Sequence, residues 1–130
     1  MKQLIKQLLR EYIADGNFIY HGTGKGQALN IQNTGFMKAN NTGEEQPSIS
    51  FINNLDYAKY YAKAKGGLDK MVILRTKLNN TFKISPRIAK NKGEEYITFT
   101  PVPSNSLEIL TKFNEWVPLN SWNVIFDEPL

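Results

Sequence analysis

Along the first fifteen residues, apolar side chains return every three to four positions, at Leu4, Ile5, Leu8, Leu9, Tyr12 and Ile13. That period is the signature of an amphipathic helix, predicted over residues 2–14 and ended by Asp15-Gly16. Its lysine content is modest and it opens directly into an apolar strand, so it reads as a packing element rather than a membrane-surface helix. Phe18–Tyr20 is aromatic and β-branched, with Gly16 marking the turn before it, which predicts a strand. The strand ends at His21, the only histidine in the chain, followed by Gly22, Thr23 and a Gly24-Lys25-Gly26 loop. Ala28 and Ile31 lie three apart in a helical segment, and Gly35 stands where a C-terminal cap belongs. Lys38 to Pro47 is rich in Asn, Gly and Glu and reads as a loop.

Alternation then replaces the helical period. Ser48 to Ile52 is a second short strand, Asn53-Asn54 a turn, and Asp56 an N-cap for a helix over Tyr57 to Lys65, closed by Gly66-Gly67. On that helix Tyr57, Tyr60 and Tyr61 are three and four apart and share a face. Such a face either packs in a core or forms a stacking wall for a flat heterocycle, with phenols to hydrogen-bond it. Met71 to Leu78 is the strongest strand pattern, and Thr81 to Ile84 a short extended segment. Ser85-Pro86 opens a loop through Lys92, and Glu95 to Phe99 alternates again as a strand. Pro101 and Pro103 interrupt it. Ser106 to Asn114 fits a strand or a short helix, with the alternation of Leu107, Ile109, Thr111 and Phe113 favouring the strand. The tail from Trp116 to Leu130 is aromatic enough to pack but has no clear period.

With 130 residues, this pattern describes one α+β domain with a single core: a helix over 1–15, a central unit over 18–114 and a tail over 115–130. No run of about 18 apolar residues could span a membrane. Residues 1–10 lack the continuous apolar stretch of a signal peptide, so an intracellular, cytoplasmic, soluble chain is expected. The absence of cysteine excludes disulfides, thiolate metal sites and a thiol nucleophile. A single histidine argues against a structural zinc site, and no metal is expected. The net charge of +4 is uneven. Residues 1–92 hold 15 Lys and Arg against 6 Asp and Glu, whereas residues 93–130 hold 1 against 6. A basic face for a polyanion is one reading of this. Without aromatic residues interleaved as in nucleic-acid binders, a solvated surface is the simpler one.

Candidate chemistry gathers at three places. His21 stands at a strand end beside glycine-freed backbone, a suitable place for close ligand approach, although a lone histidine there is often an ordinary strand-end residue. Ser50 lies in the second strand. Glu94-Glu95 opens the third, where paired acids are in most proteins solvated surface. Taken together, Tyr20-His21-Gly22-Thr23 with Ile31 and Gly35-Phe36 behind it, Ser48-Ile49-Ser50-Phe51 leading into Asp56-Tyr57-Ala58-Lys59-Tyr60-Tyr61-Ala62, and Glu95-Tyr96-Ile97 resemble the ADP-ribosyltransferase fold. The likeness runs from about Phe18 to Asn114 and is nearest to the His-Tyr-Glu branch of diphtheria-type toxins and poly(ADP-ribose) polymerases. Each motif alone is common; the order and spacing carry the likeness.

That resemblance implies two small antiparallel or mixed sheets forming an NAD cleft flanked by short helices. It implies His21 against a ribose hydroxyl of NAD, the backbone of Gly22 on the nicotinamide carboxamide with Thr23 beside it, and Glu95 as the catalytic glutamate. Tyr61, eleven residues after Ser50, matches the nicotinamide-stacking tyrosine, with Tyr57 and Tyr60 in the same wall. The chain departs from the branch in two places. Ser50 stands where that branch has tyrosine, as in the Ser-Thr-Ser strand of the arginine-modifying Arg-Ser-Glu branch. Ala58 stands where a polymerase serine would contact the carboxamide.

Arginine-specific transferases place Glu or Gln two residues before the catalytic glutamate. Here that place is Gly93, so arginine modification is not favoured and Glu94 is the candidate acceptor-side base. The expected activity is mono-ADP-ribosylation, with NAD as donor substrate and a protein side chain or nucleic acid as acceptor. A monomer without a membrane partner is expected. Two alternatives belong to other classes. One is an RNA 2′-phosphotransferase of the same fold, disfavoured by one His and three Arg (Arg10, Arg75, Arg87). The other is a catalytically silent NAD- or ADP-ribose-binding module.

Overall fold

Strand β1 (Phe18–Gly24) runs through the middle of the molecule, because its apolar and small residues are covered on both faces. The computed structural model describes residues 17–39, 47–66, 71–85, 93–123 and 129. The helix predicted over 2–14, most of the 38–47 loop and the loop over 86–92 lie outside the described residues. After β1 come α1 (Lys25–Thr34), β2 (Phe36–Met37), β3 (Ile49–Ile52), α2 (Leu55–Gly66), β4 (Met71–Lys77), β5 (Lys83–Ser85) and β6 (Glu95–Thr98). The chain continues through β7 (Val102–Pro103), a 3-10 turn at Ser104–Ser106, β8 (Glu108–Leu110), β9 (Trp116–Pro118) and a second 3-10 turn at Leu119–Ser121.

The architecture is α+β in a single domain. In place of two small antiparallel or mixed sheets there is one seven-stranded sheet, ordered β5-β6-β3-β1-β4-β8-β9, and a two-stranded ribbon of β2 and β7. Every pairing is antiparallel. The order explains how residues far apart in the chain meet. β1, β3 and β6 are neighbours although some seventy residues separate the first from the last. Among the described residues no helix is long and apolar enough to cross a membrane.

Strand alternation sorts side chains onto two faces. Ile19, Phe51, Val72, Leu74 and Ile109 join Ala28 and Ile31 of α1 in the larger core. Ile52, Ile73 and Leu110 take the other face, packed against Ala58 and Ala62 of α2. Gln32 of α1 donates to the carbonyls of Leu119 (2.9 Å) and Trp122 (2.8 Å), tying the tail segment onto the larger core. Trp116–Pro118 extends the sheet as its edge strand, where the proline leaves no interior ladder bond unmade. On the α2 face, the Arg75 guanidinium lies 3.8 Å from the Phe18 ring centroid and 4.3 Å from that of Trp116. Its Nε donates to Glu108 at 2.8 Å.

Both described helices begin differently from the sequence reading. Gly24-Lys25-Gly26 is not a loop: β1 runs straight to Gly24, whose extended backbone (φ −98°) lets α1 start at Lys25. Gly35 closes α1 as expected, in the left-handed conformation (φ 86°), with its N–H on the Ile31 carbonyl at 2.8 Å. The cap of α2 is Asn54 rather than Asp56. The Tyr57 N–H donates to Asn54 Oδ1 at 3.1 Å, and Asp56 sits inside the first turn, where its charge suits the helix dipole. Removing the cap as Asn54→Ala is expected to cost about 1 kcal/mol. Thermal unfolding followed by circular dichroism should show a fall of roughly 3–5 °C in Tm.

Candidate functional site

The ladder between β1 and β3 is short. β1 pairs with β4 from Phe18 to Gly24 but, among the described residues, with β3 only at Tyr20↔Ile52. Past that point β1 stays with β4, and β3 stays with β6 from Ile49 to Ile52. His21 bridges the place where the two strands part. Its Nδ1 lies 2.6 Å from the Ser50 carbonyl oxygen, and its ring rests on Phe51 with centroids 5.4 Å apart. A carbonyl only accepts, so Nδ1 carries the proton and donates.

Glu95 is the first residue of β6, opposite Ile52 on β3 and Ser85 on β5. It is not the solvated surface acid that its sequence context suggests, being only 6% exposed. Ser50 pairs with Ile97, which makes Ser50 and Glu95 diagonal neighbours on one face of the sheet. The Ser50 hydroxyl donates to Glu95 Oε2 in a short hydrogen bond. Burying a carboxylate is costly unless donors reach it, and this bond offsets part of that cost. Ser50 therefore joins the other two residues, its carbonyl accepting from His21 and its hydroxyl donating to Glu95. Alternation places His21 on the Phe51 face and Glu95 on the α2 face, so the two stand on opposite faces of the sheet and are linked through Ser50.

Gly22 supports this arrangement by having no side chain. A Cβ there would lie 2.4 Å from the Ala58 carbonyl oxygen and 2.7 Å from Ala62 Cβ, so α2 rests directly on β1. The innermost stripe of α2 is thus Ala58 and Ala62, with Tyr57 and Tyr61 to one side of it and Tyr60 opposite. Tyr57 is half-buried against the Ile52 cluster, Tyr60 is 69% exposed and Tyr61 41% exposed. The Tyr57 and Tyr60 rings are 6.3 Å apart and tilted by 38°. Tyr57 serves the core, and Tyr60 is turned mainly to solvent. Thr23 is half-buried opposite Val72, on the same face as His21.

Glu94 points away from Glu95. Its exposed carboxylate accepts the Tyr96 phenol at 2.7 Å, two residues along and on the other face. This hydrogen bond, followed by burial and the Glu94 charge itself, raises the Tyr96 phenol above its ordinary value of 10.0. Deprotonation would break the bond and set phenolate against carboxylate. The stability contributed is complete below pH 10 and is lost as the pH rises through the higher native value. In an alkaline titration read by ultraviolet absorbance, Tyr96 is expected to ionise above the ordinary phenol range. Tyr96→Phe should remove that late component, and Glu94→Gln, which removes the charge but leaves the burial, should move it part of the way back.

Two residues of this neighbourhood have no role in the sequence reading. Ser85 is buried directly across from Glu95. Asn53 holds the main chain of Glu94, accepting its N–H on Oδ1 at 2.7 Å. Only the strand order brings either one to the acid. Among the described residues no cluster of three His, Cys, Asp or Glu could hold a metal ion. No protein-family model, curated protein or solved structure matches the chain.

Proposed function

We propose that the chain is a mono-ADP-ribosyltransferase, moving ADP-ribose from NAD to a macromolecular acceptor and releasing nicotinamide. One observation carries this reading. Three residues from separate stretches of sequence, His21, Ser50 and Glu95, are joined by two hydrogen bonds where β1 parts from β3. Chemistry at a nucleotide sugar calls for such a set. Leaving of nicotinamide takes the bonding electron pair with it and builds positive charge on the ribose, as in glycoside hydrolysis.

A carboxylate accepting the ribose 2′-hydroxyl stabilises that charge, and Glu95 is the buried acid of the set to which this role is assigned. The Ser50 hydroxyl orients the carboxylate and keeps it from turning away. The bond from Nδ1 to the Ser50 carbonyl fixes the imidazole in the orientation proposed to hold a ribose hydroxyl. Tyr61, 41% exposed on α2, is the ring assigned to the nicotinamide, on the helix whose Ala58 and Ala62 rest on Gly22. Tyr60 has too much of its surface in water to be a wall for the ring. Glu94 remains the acceptor-side candidate, on the opposite face from Glu95.

The test is incubation of the purified full chain with labelled NAD and separate pools of protein, DNA and RNA. Free nicotinamide with label carried into one pool is the expected result. No nicotinamide in any pool would refute the proposal, and the labelled pool names the acceptor class.

A further inference from the structure

We infer that Asn53 is a positioning residue that fixes Glu95 against Ser50, by using its side chain to complete the β3–β6 ladder one step past the end of β3. This rests on the transferase reading for its catalytic consequence, though not for its geometry. The β3–β6 register pairs Ile52 with Glu95, so the next facing pair is Asn53 and Glu94. In an antiparallel ladder every second facing pair exchanges two main-chain hydrogen bonds, and Asn53 and Glu94 are such a pair. One of them is present: the Asn53 N–H donates to the Glu94 carbonyl at 3.1 Å.

The return bond is made differently. The chain bends at Asn53 to enter α2, and the Glu94 N–H donates to Asn53 Oδ1 at 2.7 Å. A side-chain amide oxygen thus does the work of a main-chain carbonyl. Gly93 lets the strand enter beneath that side chain. Its backbone is left-handed (φ 101°), and a Cβ there would fall 2.7 Å from Asn53 Oδ1 and 3.0 Å from Asn54 Cβ.

The consequence lies one residue along. Glu95 is the first residue of β6, the position most prone to fray, and its carboxylate must meet a hydroxyl on the neighbouring strand. Pinning the residue before it on both main-chain groups removes that freedom. The same junction starts α2, since Asn54 caps the helix that carries Tyr61. Asn53-Asn54 therefore sets the acid and the tyrosine helix relative to the Ser50 strand.

The test uses the full chain with Asn53→Ala and Asn53→Asp, each checked for cooperative unfolding. Asparagine and aspartate both offer an oxygen to the Glu94 N–H; alanine does not. Asn53→Ala is expected to lose exchange protection at the Glu94 amide and to shift the carboxyl carbon resonance of Glu95. Its kcat for nicotinamide release should fall roughly tenfold to a hundredfold, as expected when a reacting group is misplaced by about 1 Å, with KM for NAD within about twofold. Asn53→Asp should keep the protection and recover most of the kcat. An Asn53→Ala protein with fast Glu94 exchange but unchanged kcat would overturn the inference, as would an unmoved Glu95 resonance. If the wild type releases no nicotinamide, the transferase reading fails by itself. Exchange at Glu94 and the Glu95 resonance then still decide whether Asn53 holds the acid.

Discussion

Glu95→Gln is expected to lower kcat for nicotinamide release by about 10²–10³ while leaving NAD affinity within about twofold. Glutamine has nearly the same volume and still offers an oxygen to the Ser50 hydroxyl, so the packing of this buried position survives. What is lost is the negative charge that the proposed reaction sets against the ribose. A single preorganised electrostatic partner in a water-poor site contributes roughly 3–4 kcal/mol to the transition state, which sets the size of the effect. Charge that develops only during bond breaking leaves ground-state binding almost untouched. His21→Ala should behave differently, because an imidazole that holds the ribose acts in the ground state too. Binding and turnover are expected to fall together. Steady-state kinetics with calorimetric NAD titrations separates the two patterns. An active Glu95→Gln enzyme would mean that the acid is structural.

The largest structural effect is expected at Gly22. In Gly22→Ala the new methyl group would sit 2.4 Å from the carbonyl oxygen of Ala58 and 2.8 Å from the amide nitrogen of Ala62, both main-chain atoms of α2. No rotamer change relieves a clash with backbone, so the helix must lift from the strand. Overpacking of this kind costs about 3 kcal/mol, the upper part of its usual range, and lowers Tm by roughly 10 °C. Gly26→Ala is the control, since a Cβ there meets nothing within 4 Å. It should be neutral or stabilising by up to about 1 kcal/mol. Because α2 carries Tyr61, Gly22→Ala should also raise KM for NAD under conditions where the protein remains folded. Differential scanning calorimetry of the two variants gives the comparison.

Local pattern was sufficient where one residue's environment decides its conformation. The alternation in Ile49–Ile52, Met71–Lys77 and Glu95–Thr98 marks strands to within a residue or two, and Gly35 announces its left-handed cap. It was insufficient where two candidates have equal local merit. Asn54 and Asp56 are both good N-caps, and the choice falls to Asn54 because β3 releases the chain there. Helical spacing puts three tyrosines near one face but does not say which stripe lies innermost. Gly22 decides that, by admitting only the small residues Ala58 and Ala62. β9 is three residues long, and its partner β8 is what makes it a strand. His21, Ser50 and Glu95 were legible as residue types with a family-like spacing. That Ser50 links the other two depends on the order β6-β3-β1, which no local window contains. Asn53 and Ser85 are hidden for the same reason. Each matters only through a partner at least ten residues away.

The most direct measurement is a crystal structure of Glu95→Gln with NAD bound, the substitution serving to hold the dinucleotide intact. The nicotinamide ribose is expected where β1 parts from β3, with residue 95 at its 2′-hydroxyl, Tyr61 beside the nicotinamide ring and His21 against a ribose hydroxyl from the opposite face. NAD bound elsewhere on the molecule, or none bound at millimolar concentration, would contradict the account.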